Sequence, residues 1–272
     1  MQSIELFQAL SVKMQEAVLS PRLFLLGITM NLSNSSCSPS RCPQPYDCGN
    51  STTSFDIGLA PSYVAITSSG LSCLGSFLVI ATFLFLKEMR TGAQKIITLL
   101  AIADLISAAG YILGSINFLV HFNETDTQSC NVFDALCRTQ ASITSWSSLC
   151  SFCWTMILAF YFYMVIVYNR KALASRLVPL YNIIAWLCPL LVIVPLTALM
   201  KLGYAPYAAA NWCFVKDLIL QNVTSNGLHW ETITFIFVAG KLWEILTYIG
   251  VILIYTHIAV HLSRVPSNHI LS

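Results

Sequence analysis

Between Arg138 and Arg170 the chain runs for 31 residues without a formal charge. At 1.5 Å rise per residue, such a run crosses a hydrocarbon layer of roughly 30 Å as an α-helix with turns to spare. Its two halves differ. Thr139, Gln140, Ser142, Thr144, Ser145, Ser147, Ser148 and Ser151 crowd the first half, whereas Met156 to Tyr168 is almost wholly aliphatic or aromatic. Hydroxyls and an amide facing lipid would lack partners, so the polar half is expected to face other helices or a wet cavity. The stretch reads as the central helix of a membrane bundle.

The rest of the chain agrees. Of 272 residues, 56% are hydrophobic and 10% charged, well below the roughly 25% charged of an ordinary soluble domain. The expected class is all-α, a polytopic membrane helix bundle. A net charge of +2 without any Lys/Arg cluster argues against nucleic acid as a partner. Five spans are expected, at about 57–86, 96–120, 139–169, 177–200 and 232–262, the fourth punctuated by Pro179, Pro189 and Pro195. A kink there is tolerable if neighbouring helices satisfy the freed carbonyls. Residues 1–56 read as an extracellular, loop-like N-terminal segment rich in Asn, Ser, Pro and Cys, and 263–272 as a short cytoplasmic tail. Leu23 to Met30 is apolar but too short to span; a signal peptide there would have a short apolar core and no clean cleavage site.

Charge bias orients the bundle. Lys87, Arg90 and Lys95 flank the turn between the first two spans, and Arg170, Lys171 and Arg176 that between the third and fourth, which places both turns in the cytoplasm. The stretch His121–Leu136, read as a loop, carries only acids. Five Asn-x-Ser/Thr acceptors, at Asn31, Asn34, Asn50, Asn123 and Asn222, all fall in segments the charge rule puts outside. The expected location is a plasma membrane, multi-pass, with the N-terminus outside and the C-terminus inside.

Six of the ten cysteines lie outside the spans, namely Cys37, Cys42, Cys48, Cys130, Cys137 and Cys213. Six allow 15 pairings, so spacing leaves the framework open. Cys137 and Cys213 make the best pair: one sits at the outer tip of the central helix, and the other lies in the loop that must pass over it. Cys73, Cys150, Cys153 and Cys188 read as packed thiols, the C-x-x-C at Cys150 included.

Ionisable residues inside a span cost on the order of 2.5–3.5 kcal/mol at mid-membrane on the insertion scale, so each is a candidate functional group. Asp104, Lys241 and Glu244 are the three. Lys241 and Glu244 are spaced to neutralise each other as an i,i+3 pair; the sharper reading sends one of them to a ligand or to Asp104. Asp104 offers either a packing hydrogen bond or an ion- or proton-linked switch. His257 and His261 are four apart, but with no carboxylate or thiol beside them a helix C-terminus explains them better than a metal. Phe160, Tyr161, Phe162 and Tyr163 read as packing. No hydrolase, metalloprotease, phosphate-loop or dinucleotide motif occurs, so neither an enzyme nor a cofactor is expected.

Taken together, the long outer N-terminus, IADLISAAGY (Ile102 to Tyr111), the cysteine opening the third span, Trp212 with Cys213 after the fourth, and GKLWEILTY (Gly240 to Tyr248) resemble the G-protein-coupled receptors related to slime-mould cyclic-AMP receptors. The resemblance singles out Trp212, Gly240 and Trp243 and implies a seven-helix fold, of which five helices are recognisable. It also implies an unknown extracellular ligand and a heterotrimeric G protein reached through Lys87, Arg90, Arg170 and Lys171. Tyr168, Asn169 and Arg170 stand where rhodopsin-like receptors carry Asp/Glu-Arg-Tyr, which fits a non-rhodopsin class. With five helices, the expectation is a C-terminally truncated form with little or no signalling of its own, prone to retention in the endoplasmic reticulum. An alternative is a non-signalling isoform partnered with a full-length receptor chain. A small transporter or channel subunit using Asp104, Lys241 and Glu244 as a polar path is the third reading; no internal repeat supports it.

Overall fold

The computed structural model describes residues 55–86, 91–121, 127–204, 213–215 and 234–264. Five of its helical segments are long and apolar enough to cross a membrane: Ser62–Phe85, Gly92–Val120, Val132–Ile166, Lys171–Ala198 and Thr234–Arg264. They pack together as one helical bundle around the third of them.

Helix α1 (Phe55–Phe85) packs along α2 (Gly92–His121). Helix α2 begins at a capping box: Gln94 Oε1 accepts from the Thr91 amide at 3.1 Å, and Thr91 Oγ1 accepts from the Gln94 amide at 3.4 Å. That reciprocal pair satisfies two orphan donors and starts the helix four residues before the expected Ile96.

Helix α3 (Thr127–Ile166) has 40 residues and, at about 60 Å, overreaches the hydrocarbon layer. It touches α2, the later helical segments Lys171–Leu187, Leu190–Ala198 and Leu242–Arg264, the strands Leu202–Tyr204 and Cys213–Val215 and the π-helical turn Phe237–Lys241, and is the hub of the described structure. The acidic stretch expected as a loop up to Leu136 is helical from Thr127. Asp134 and Arg138 pair one turn apart along it, and Phe133 is buried in the core.

A tight turn follows α3, with Asn169 in the left-handed region at φ 50°. Helix α4 (Lys171–Leu187) then starts earlier than the expected 177, and it breaks at Cys188 and Pro189 before α5 (Leu190–Ala198). The expected single fourth helix is therefore two segments. Pro189 has no N–H to offer the carbonyl of Ala185, and in the broken turn the Trp186 carbonyl accepts from Trp146 Nε1 of α3 at 3.2 Å. A neighbouring helix thus supplies a partner at the kink.

Strands β1 (Leu202–Tyr204) and β2 (Cys213–Val215) pair antiparallel, with Gly203 opposite Phe214. The last span starts at Thr234, passes through a π-helical turn (Phe237–Lys241) and continues as α6 (Leu242–Arg264). A core cluster at the strand end joins Phe133, Cys137, Ile193, Leu196, Leu202 and Val215. A second, around Trp154 and Leu158, binds α2, α3 and α4 deeper in the bundle.

Candidate functional site

One stripe of the polar half of α3 is spent on α2, while Ser142 Oγ lies 3.1 Å from Thr197 Oγ1 of the segment Leu190–Ala198. Gln140, Thr144, Ser147, Ser148 and Ser151 recur at three- and four-residue spacing and so form one stripe along the helix. At the strand end, Gly114 lies so close that a Cβ there would meet the Gln140 amide at 2.8–3.0 Å. One turn on, Gly110 is covered by Thr144, whose Oγ1 accepts from Gln140 Nε2 at 3.1 Å. Ser107 Oγ lies 2.8 Å from Ser147 Oγ and 3.2 Å from Ser148 Oγ. Ser151 Oγ then donates to Asp104 Oδ1 at 2.5 Å. The intramembrane carboxylate is thus held by a hydroxyl of the hub helix. Gly110 and Gly114 were passed over by the charge-based reading of the sequence, although Gly-x-x-x-Gly in an apolar helix marks a close helix–helix approach.

At the strand end of α3, Cys137 is joined to Cys213 with Cα atoms 5.4 Å apart, as the loop argument requires. The bridge ties β2 to the hub. Cys137, Cys213, Leu202 and Val215 are all buried, so the strand pair sits in the core at this end of the bundle. Phe214 packs against the same cluster, and the Gly240 Cβ position of the π-helical turn is 3.6 Å from its ring. Trp243 Nε1 donates to the Val238 carbonyl at 3.0 Å within the turn. Both described residues of the GKLWE segment singled out by resemblance therefore help shape the turn that meets the strands.

Lys241 Nζ donates to Glu244 Oε2 at 3.1 Å, the i,i+3 pairing expected, with the lysine side chain 48% exposed and that of the glutamate 16%. Asp104 is thus bonded to Ser151, and Lys241 to Glu244 across the junction of the π-helical turn and α6.

The opposite end of α3 is aromatic, then basic. Tyr163 stacks edge-on with Tyr168 and with His257 of α6, at ring separations of 5.5 and 5.4 Å. His257 is thereby placed in packing. Arg170 and Lys171 follow, both exposed, at the turn into α4. Lys87, Arg90, Trp212, the five sequons at Asn31, Asn34, Asn50, Asn123 and Asn222, and Cys37, Cys42 and Cys48 lie outside the described residues. Of Cys130 the backbone falls in the first turn of α3. Cys73, Cys150, Cys153 and Cys188 are free thiols.

A five-span bundle with a long central helix, an intramembrane carboxylate bonded to it and a strand pair disulfide-linked toward its outer end describes part of a seven-helix receptor. Residues 59–221 match the seven-transmembrane receptors of the secretin family, and the chain belongs to that family. It is 31% identical over 207 residues to human "G-protein coupled receptor 157", covering 74% of this chain and 54% of the relative. The mouse protein of the same name is 30% identical over 203 residues, covering 74% of this chain and 55% of the relative. "Cyclic AMP receptor-like protein A" of Dictyostelium discoideum is 26% identical over 151 residues, covering 55% and 35%. The chain spans about half the length of the first two relatives, and the slime-mould likeness expected from its motifs is present.

Proposed function

We propose that the chain acts in transmembrane signalling as a receptor at the plasma membrane, with the strand pair facing outward and the Asn169 turn facing the cytoplasm. An extracellular ligand meets the bundle at the outer ends of α2, α3 and α6. A heterotrimeric G protein meets it at Arg170 and Lys171, together with Lys87 and Arg90 of the preceding turn. The observation that carries this reading is that one continuous helix, α3, joins the two ends. Toward its outer end it is bonded to the strand pair through Cys137 and Cys213, and its inner end leads directly to exposed Arg170 and Lys171. A ligand that shifts the strand pair has a rigid element through which to bias the inner turn.

The five spans need further helices to respond. In the last span Phe237, Ile245 and Ile249 are about half exposed, as is the side chain of Lys241. A family fold of seven helices has two more to set there, and intramembrane polar groups left to lipid are costly. Residues 1–272 expressed by themselves are therefore expected to be retained in part in the endoplasmic reticulum and to give no second-messenger response above an empty vector. Co-expression with a receptor chain that supplies the remaining helices is expected to change surface level. A robust calcium or cyclic-AMP signal from residues 1–272 alone, abolished by Arg170→Ala with Lys171→Ala, would show that the five spans suffice.

A further inference from the structure

The carboxylates whose side chains are described all have partners far from the Asn169 turn: Asp104 bonds Ser151, Asp134 bonds Arg138, and Glu244 bonds Lys241. Around that turn stand four exposed cations, Lys95, Arg170, Lys171 and Arg176, and among the described residues none of them makes an ion pair. Arg176 is the odd member. It lies about 7.5 Å along α4 from Lys171, on the face opposite the buried Ala174, Val178 and Ala185. That outward face continues at three- and four-residue steps through Leu180, Ile183 and Leu187, which are 51%, 56% and 56% exposed. A permanently charged guanidinium therefore heads an apolar, lipid-facing stripe.

We propose that this face of α4 binds an anionic phospholipid. Arg176 holds the headgroup phosphate, the field of Arg170 and Lys171 strengthens the attraction, and an acyl chain lies along Leu180, Ile183 and Leu187. Charge complementarity requires an anion, and the position of Arg176 decides which kind. A phospholipid places its phosphate at the layer's boundary and its chains along Leu180, Ile183 and Leu187, whereas an acidic segment of a soluble protein has nothing to lay along that apolar stripe. Guanidinium matches phosphate in a bidentate fork, and its stem can lie on the apolar surface while the head reaches the interface. Tyr168, 56% exposed at the end of α3, and Tyr181 on α4 are aromatic residues of the kind that settle at that depth. The inference uses a residue with no part in the G-protein reading and does not depend on it.

The test is native mass spectrometry of the full chain released from nanodiscs of phosphatidylcholine containing a minor fraction of phosphatidylserine, read as the ratio of the two lipids retained per chain. The expected result is enrichment of phosphatidylserine over its bulk fraction, reduced about fivefold by Arg176→Gln, the factor a single interfacial cation contributes. Arg176→Lys retains most of the preference, and Arg264→Gln, which removes an exposed cation at the end of α6 instead, leaves it unchanged. Free glycerophosphoserine does not compete, because it lacks the chains. Bulk-like retention by the unaltered chain, an Arg176→Gln variant that behaves like it, an equal loss in Arg264→Gln, or displacement by the soluble headgroup would each overturn the proposal.

Discussion

Gly110 of α2 lies directly beneath the hydroxyl of Thr144 on α3, so close that a methyl group added at Gly110 would overlap it. One turn away Gly114 stands in the same relation to the Gln140 amide. The two helices meet at backbone distance here because neither glycine carries a Cβ, and that approach lets the hydroxyls and the amide of α3 be shielded from lipid.

Gly110→Ala and Gly114→Ala are each expected to cost about 1–3 kcal/mol, the usual range for overpacking a close contact. Gly70→Ala and Gly75→Ala on α1, where a Cβ meets nothing within 4 Å, are expected to be neutral or to gain about 0.5–1 kcal/mol from helix propensity. Thermal unfolding of the four variants in one detergent separates the pairs. Equal losses in both would contradict the close approach.

Loss of either Cys137 or Cys213 is expected to lower surface expression equally, and the double variant to be no worse than the single ones. The bridge spans a sequence separation of 76 and is worth about 4.5 kcal/mol in the chain-entropy picture. Mass spectrometry of non-reduced digests checks the pairing itself. Recovery of Cys137 joined to Cys130 would contradict it.

Orientation is checked by glycan mapping and protease protection. Asn50, Asn123 and Asn222 are expected to accept glycans, while a tag after Ser272 stays protected in sealed cells. An exposed C-terminal tag would reverse the bundle.

The spans were legible because charge-free runs of membrane length leave a chain few alternatives, and the inward turn of the polar half of α3 followed from what lipid cannot solvate. The strand-end disulfide was legible for a geometric reason, since Cys137 lies toward the outer end of the hub and Cys213 in the segment that returns over it, although the hub itself starts ten residues before Cys137. Less visible were features that carry no charge signature. Thr91 and Gln94 form a capping box that starts α2 early, yet both are ordinary polar residues at the edge of a basic turn. At the break before Pro189 the Trp186 carbonyl is met by Trp146, a contact between residues 40 apart in the chain. Gly110 and Gly114, four apart, stack on one helix face, whereas Gly70 and Gly75, five apart, do not share one. The difference lies in helix periodicity rather than composition, and hydropathy alone passes over it.

The claim that α3 carries signals between an outer strand pair and an inner G-protein contact is tested most directly by resonance energy transfer in living cells. Residues 1–272 would carry a luciferase after Ser272, and the acceptor would sit on a heterotrimeric G-protein subunit. The account predicts transfer above that of an unrelated membrane protein at matched expression, lost in Arg170→Ala with Lys171→Ala and retained in Arg264→Gln. Transfer no greater than the unrelated control, or transfer that ignores the loss of Arg170 and Lys171, would contradict it.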